Sequence, residues 1–125
     1  MTTSELESEI YSALINEETL TEMLGNAKES IYHLQAPAGE ITRYPILVYS
    51  PISDVPIMHG DDLESAYRVT IRIHIITKNG EYSEINLIIN RIMTMQLGYS
   101  RVQTTPYVEE DKKMLICDYR IAVKN

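Results

Sequence analysis

The stretch SAYRVTIRIHIIT, residues 65–77, decides the fold. From Tyr67 onward the apolar residues Tyr67, Val69, Ile71, Ile73 and Ile75 fall on alternate positions, with Arg68, Thr70, Arg72 and His74 between them. Side chains on a strand alternate faces, so the pattern is a strand with one apolar face and one basic-polar face. Counted from Glu64, it runs about 14 residues, or roughly 45 Å at about 3.3 Å per residue. A compact chain of this length has a diameter of roughly 35–40 Å. The strand is long for its own domain.

Immediately upstream, YPILVYS (44–50) is a dense apolar strand, with Pro45 near its start where a missing donor is tolerated. Between the two strands lies PISDVPIMHGDD (51–62). Pro51, Pro56 and Gly60 predict an irregular connection here. A structureless connection of about twelve residues is uncommon in a small domain and tends to be functional or disordered. This one carries Ile52, Val55, Ile57 and Met58, which a disordered loop lacks. These four side chains therefore pack on something, either the protein's own core or a neighbour. The two strands together predict a long hairpin whose outer part projects beyond the domain body and reaches another subunit.

The remaining elements fill in around this hairpin. Ser4 and Glu7 have capping-box spacing before Leu6, Ile10 and Leu14, predicting a helix over 5–16. Thr19 and Glu22 repeat the signature before Leu20, Met23 and Leu24, with Gly25 as a stop. SIYHL (30–34) is a short strand and QAPAGEITR (35–43) a loop. KNGE ends the long strand. EYSEINLIINRIMTMQLG (81–98) sets Tyr82, Ile85, Ile88, Ile89, Ile92 and Met95 or Gln96 on a helical stripe closed by Gly98. YSRVQTTPY and MLICDYRIAV form a closing hairpin around EEDKK, with Leu115, Cys117, Tyr119, Ile121 and Val123 on one face. One-faced strands and striped helices require two layers. The expected fold is α+β, a mainly antiparallel sheet of about five strands with two main helices on one face, in a single domain over residues 1–125.

Composition narrows the function. The 125 residues are 44% hydrophobic and 23% charged, with one cysteine and a net charge of −7. No apolar run approaches the about 18 residues a membrane span needs, and the acidic opening MTTSELESEI lacks the features of a secretory signal. Residues 1–30 set Glu5, Glu7, Glu9, Glu17, Glu18, Glu22 and Glu29 against Lys28 alone, a net of −6. That balance argues against a conventional nucleic-acid-binding domain with its basic patch. All nine aromatic residues are tyrosine, suited to the edge of a core or to an interface. No phosphate loop, dinucleotide fingerprint, paired-cysteine motif, zinc-protease helix or nucleophile elbow is present, so neither catalysis nor a cofactor is expected. His59, Asp61 and Asp62 are the nearest approach to a metal cluster, and two adjacent loop aspartates are ordinarily just solvated. Cys117 has apolar neighbours on its strand face and is expected to be inert. Arg68 and Arg72, with Arg43, are too few for phosphate binding on an acidic protein. A solvated face or a protein contact is the expectation, with the acidic helix at Glu5 and Glu9 as the complementary surface.

The acidic first helix, IYHLQAP, YPILVYS, the long strand, the amphipathic helix ending MQLGYSRV and the closing YRIAV together resemble the tail-terminator, or tail-completion, proteins of long-tailed bacteriophages and prophages. The resemblance spans nearly the whole chain, and its most recognisable pieces are the AP…YP pair and the LGY after the second main helix. It implies a small α+β subunit with no catalytic residues, forming a ring, usually of six copies. Such a ring caps the tail tube and joins it to the head or neck connector, and DNA passes through it without specific binding. It also implies a place in the virion after assembly in the host cytoplasm. Small neck and head-completion proteins share this size and composition, and a cytoplasmic protein–protein adaptor using the hairpin is the reading from outside the phage world.

Overall fold

The computed structural model describes residues 2–36, 43–59 and 62–124, with the side chains of 58–65 outside the description. Helix α1 (Thr3–Ile15) is capped by Thr2, whose hydroxyl accepts the Glu5 amide at 3.2 Å. The cap lies two residues ahead of the expected Ser4. A Thr2 cap still leaves Leu6, Ile10 and Leu14 on one buried stripe. The second helix, α2 (Glu18–Thr21), is a single turn, and the Thr19 hydroxyl donates to Glu17 rather than capping it. Gly25 ends this region by close approach: a side chain here would meet the Arg43 backbone, and the Gly25 amide donates to the Pro45 carbonyl at 2.9 Å.

Among the described residues five strands follow in the sheet order β1-β2-β3-β5-β4. They are β1 (Ile31–His33), β2 (Ile46–His59), β3 (Asp62–Thr77), β4 (Ser100–Glu109) and β5 (Lys112–Lys124). Only β1–β2 is parallel, and the other three pairings are antiparallel. Helix α3 (Ser83–Arg91) precedes β4. The α+β class, the mainly antiparallel five-stranded sheet and the long hairpin are as the sequence predicts.

Residues 51–59 are not the irregular connection that Pro51 and Pro56 suggested. They continue β2, paired with β3 from Ile46↔Ile76 to His59↔Asp62. The reason is topological. β1 covers β2 only at Leu47–Tyr49, so from Ser50 onward β2 is an edge among the described residues. A proline on an edge can turn its missing donor away from the ladder. A bulge at Ile52, between the pairs Pro51↔Ile71 and Ser53↔Thr70, absorbs one residue. Pro51 and Pro56 (opposite Tyr67) are thereby brought to the same phase of the strand. The loop expected over 35–43 falls largely outside the described residues.

The core lies between one sheet face and the helices. Leu47, Tyr49, Val69, Ile71, Ile73, Ile75, Leu115, Cys117 and Tyr119 meet Leu6, Ile10 and Leu14 of α1 and Ile85 and Ile89 of α3. After Arg91 the helix widens into a π turn over Ile92–Gln96. That extra residue per turn shifts the stripe's phase. Met93 is buried, Met95 stands 82% exposed, and Gln96, the alternative to it on the expected apolar stripe, is exposed as well. Gly98, at φ +81°, takes the left-handed conformation that ends the helix.

Candidate functional site

Among the described residues the opposite face of the sheet has no helix on it, and strand register decides what it shows. Three rows cross its outer half: Ser53–Thr70–Arg120, Val55–Arg68–Ala122 and Ile57–Ala66–Lys124. Val55, Ile57 and Arg68, singled out separately in the sequence, thus converge on one patch. Val55 is 50% exposed, and Ile52, the bulge residue beside it, 44%. Met58 is the fourth apolar candidate, and its side chain lies outside the described residues, as do those of His59, Asp61 and Asp62. Arg68, Arg120 and Lys124 are all exposed and make no ion pair among the described residues. Arg120 and Lys124 were missed in the sequence. Their signal was the same alternation that buries Tyr119 and half-buries Ile121 and Val123 on the other face of β5.

Arg72 lies further in and is occupied within its own sheet. Its Nε donates to Asp118 Oδ1 at 2.8 Å and its Nη2 to Oδ2 at 3.0 Å, and Gln103 Nε2 adds a third donor at 2.9 Å. Asp118 is 3% exposed. The Arg72 hydrogen bonds hold its carboxyl below the usual carboxylate range against the opposing effect of burial. This bidentate pair removes Arg72 from the set of available cations.

The inner end of the same face is apolar. Val48, Ile76, Met114 and Ile116 line an open pocket of ≈ 240 Å³ with His74 at its side. His74 Nδ1 is buried without a partner. Burial, and then the Arg72 charge, lower its pKa, opposed by Asp118. Glu109 on β4 faces the same pocket. A histidine with a depressed folded-state pKa binds its proton more readily when unfolded, so stability is fully present above about pH 6.5 and declines as pH falls through the folded value. We expect the denaturant midpoint to drop on acidification below about pH 6.5, and His74→Leu to flatten that part of the profile. An unchanged slope in the variant would assign it to other groups.

The helix layer carries the opposite sign. Glu5 and Glu9 are exposed on α1. Glu7 is paired with His33, whose ring lies 5.1 Å from that of Tyr49, and Glu17 with Arg91 at 3.2 Å. An open groove of ≈ 380 Å³ runs between α1 and the π turn, lined by Ser8, Glu9, Ser12, Ala13 and Leu97. The structure therefore does not bring the acidic and basic candidates together in one subunit. It places them on opposite layers.

Cys117 is buried and its thiol is pushed up to about 11 by desolvation, with Sγ 3.4 Å from Asn86 Oδ1. It is an inert core residue. Among the described residues no group of three metal-ligating side chains occurs, and no helix is long and apolar enough to cross a membrane.

No family model matches the chain, and no curated protein sequence does. In three dimensions it is similar to a chain of the solved virion of a native gene transfer agent (GTA) particle, with a TM-score of 0.61 over 93% of this chain and 92% of that one. The two sequences are 12% identical, so the likeness is one of fold.

Proposed function

We propose that the protein is a non-enzymatic structural component of a phage-like virion, a tail-terminator-type subunit. In this reading six copies form a ring that caps the tail tube and joins it to the head or neck connector. The carrying observation is the pair of unlike surfaces: an apolar, cationic sheet face on the long hairpin and an acidic helix face on the opposite layer. A subunit with two different patches, each complementary to the other, assembles head to tail, and such heterologous contacts close into rings when the rotation permits. The fold likeness to a chain of a gene-transfer-agent virion, and the sequence resemblance to tail terminators, agree with this. The catalytic motifs absent from the sequence and the inert Cys117 agree with it too.

Light scattering on the purified protein, alone and with tail tubes, tests the reading. The expected species is a closed ring, formed either freely or on the tube end. The ring is also expected to leave duplex DNA unshifted at low salt. A conduit must not retain a polyanion, and each captured phosphate adds a salt-dependent binding term. The carboxylates of residues 1–30 that remain uncovered would repel phosphates at short range, screened beyond about 8–10 Å at physiological salt. DNA binding that falls with salt would place Arg68 and Arg120 in the lumen and refute the smooth conduit.

A further inference from the structure

We infer that successive copies join sheet face to helix: the patch of Val55, Ile57, Arg68, Arg120 and Lys124 on one subunit docks over the groove between α1 and the π turn of the next. The inference rests on the ring reading and supplies its contact.

Three observations lead to it. First, the sheet edges are poor docking strands. Pro51 and Pro56 interrupt β2, and Pro106 interrupts β4, the other edge, opposite Leu115. Each proline withholds a donor that strand addition would use, a common way of blunting an edge. Contact through a face is what remains for the long hairpin. Second, the sheet patch cannot pair with itself. A back-to-back dimer would set Arg68, Arg120 and Lys124 of one copy against the same residues of the other, and like charges in contact exclude a partner. Third, the helix side of the molecule offers the complement in charge and shape. Glu9 lines the groove, and Glu5 lies one turn before it on α1. Ser8, Ser12 and Ala13 are small enough to leave the groove open to Val55 and Ile57. Met95, turned outward by the π turn beside the groove, adds an apolar surface.

This assigns a role to the π turn. By turning Met95 outward it converts the end of a core helix into part of a docking surface. The ion pairs within the subunit then single out the charges that remain. Glu7 and Glu17 are held by His33 and Arg91, and Arg72 by Asp118, which leaves Glu5 and Glu9 to meet Arg68, Arg120 and Lys124.

The experiment is charge reversal with rescue, read by light scattering and salt titration. The chain carrying Arg68→Glu and Arg120→Glu should associate at least tenfold more weakly, and the chain carrying Glu5→Lys and Glu9→Lys likewise. All four changes in one chain should restore assembly. A mixture of the two singly reversed proteins should co-associate although neither does so alone, because each supplies the face the other lacks. The exposed positions leave the monomer's melt in place as the folding control. If the wild type forms rings and the reversed chains do too, the contact lies elsewhere while the ring reading stands. Failure of the fourfold chain to recover also overturns the pairing. A wild type that stays monomeric at every concentration and on tail tubes overturns the ring itself. Reversals that abolish salt-sensitive DNA binding but spare assembly would make the sheet patch a phosphate-binding face instead.

Discussion

Serine at Ile52, Val55 and Ile57 is expected to abolish assembly and leave a folded monomer. All three lie on the outer half of β2, beyond the reach of β1, and Ile52 and Val55 are about half exposed in the isolated subunit. Removing exposed side chains away from caps and strained backbone changes folding stability by only about 0.5 kcal/mol each. Association is different. An apolar side chain going from exposed to fully buried contributes about 1.5–3 kcal/mol, and about half of that from a half-exposed start, while each 1.4 kcal/mol is a tenfold change in affinity. In the proposed ring, losing three such contacts per interface moves the population from assembled to monomeric. The measurement is mass by light scattering beside a thermal melt. A monomer that keeps its cooperative melt while losing the ring is the expected outcome. A lost or broadened melt would show instead that the outer hairpin belongs to the core, and an intact ring would show that this face is not the contact.

What the sequence disclosed and what it hid follow one physical division. Alternation along Tyr67–Ile75 and Leu115–Val123 reports which face of each strand is buried, because that property is local to the strand. Those faces were legible, and so were the two main helices packed against them. The identity of a strand's neighbours is not local. Pro51 and Pro56 read as breakers because a proline's cost depends on whether a strand lies alongside, and only the short β1 leaves them on an edge. Arg72 read as an exposed cation for the same reason: its partner Asp118 is 46 residues away and meets it only through the register of β3 with β5. Met95 was misplaced because a π turn changes the helical phase with no marker in the residues themselves. The candidate surface was half legible. Alternation picks out Val55, Ile57 and Arg68 one strand at a time but not that they share a row or its neighbour. Arg120 and Lys124 join them only through the register of β5 with β3.

Ile73→Ala is expected to produce the largest loss of folding stability and so to separate core from contact. Ile73 is fully buried at the centre of the sheet, flanked across the strands by Tyr49 on β2 and Cys117 on β5. Truncating it removes transfer free energy and leaves a cavity that a rigid, centrally held sheet cannot collapse into, which costs about 2–5 kcal/mol. Domains of this size are stable by about 5–15 kcal/mol, so the loss is a large share of the whole. Ile73→Val, keeping the β-branch, is expected to cost only about 0.5–1.5 kcal/mol. The denaturant midpoint should fall in that order with the slope unchanged, since the surface exposed on unfolding is nearly the same. Below its lowered melting temperature the alanine variant should still assemble, because nothing on the outer half of the sheet or on α1 has been altered. It would then be the mirror of the hairpin variant, weakened in fold and intact in contact. A loss under about 1 kcal/mol would mean that the helices do not close tightly over the sheet centre. If assembly failed while the monomer remained folded, the docking surface would depend on the sheet's inner geometry, and core and contact would be one cooperative unit.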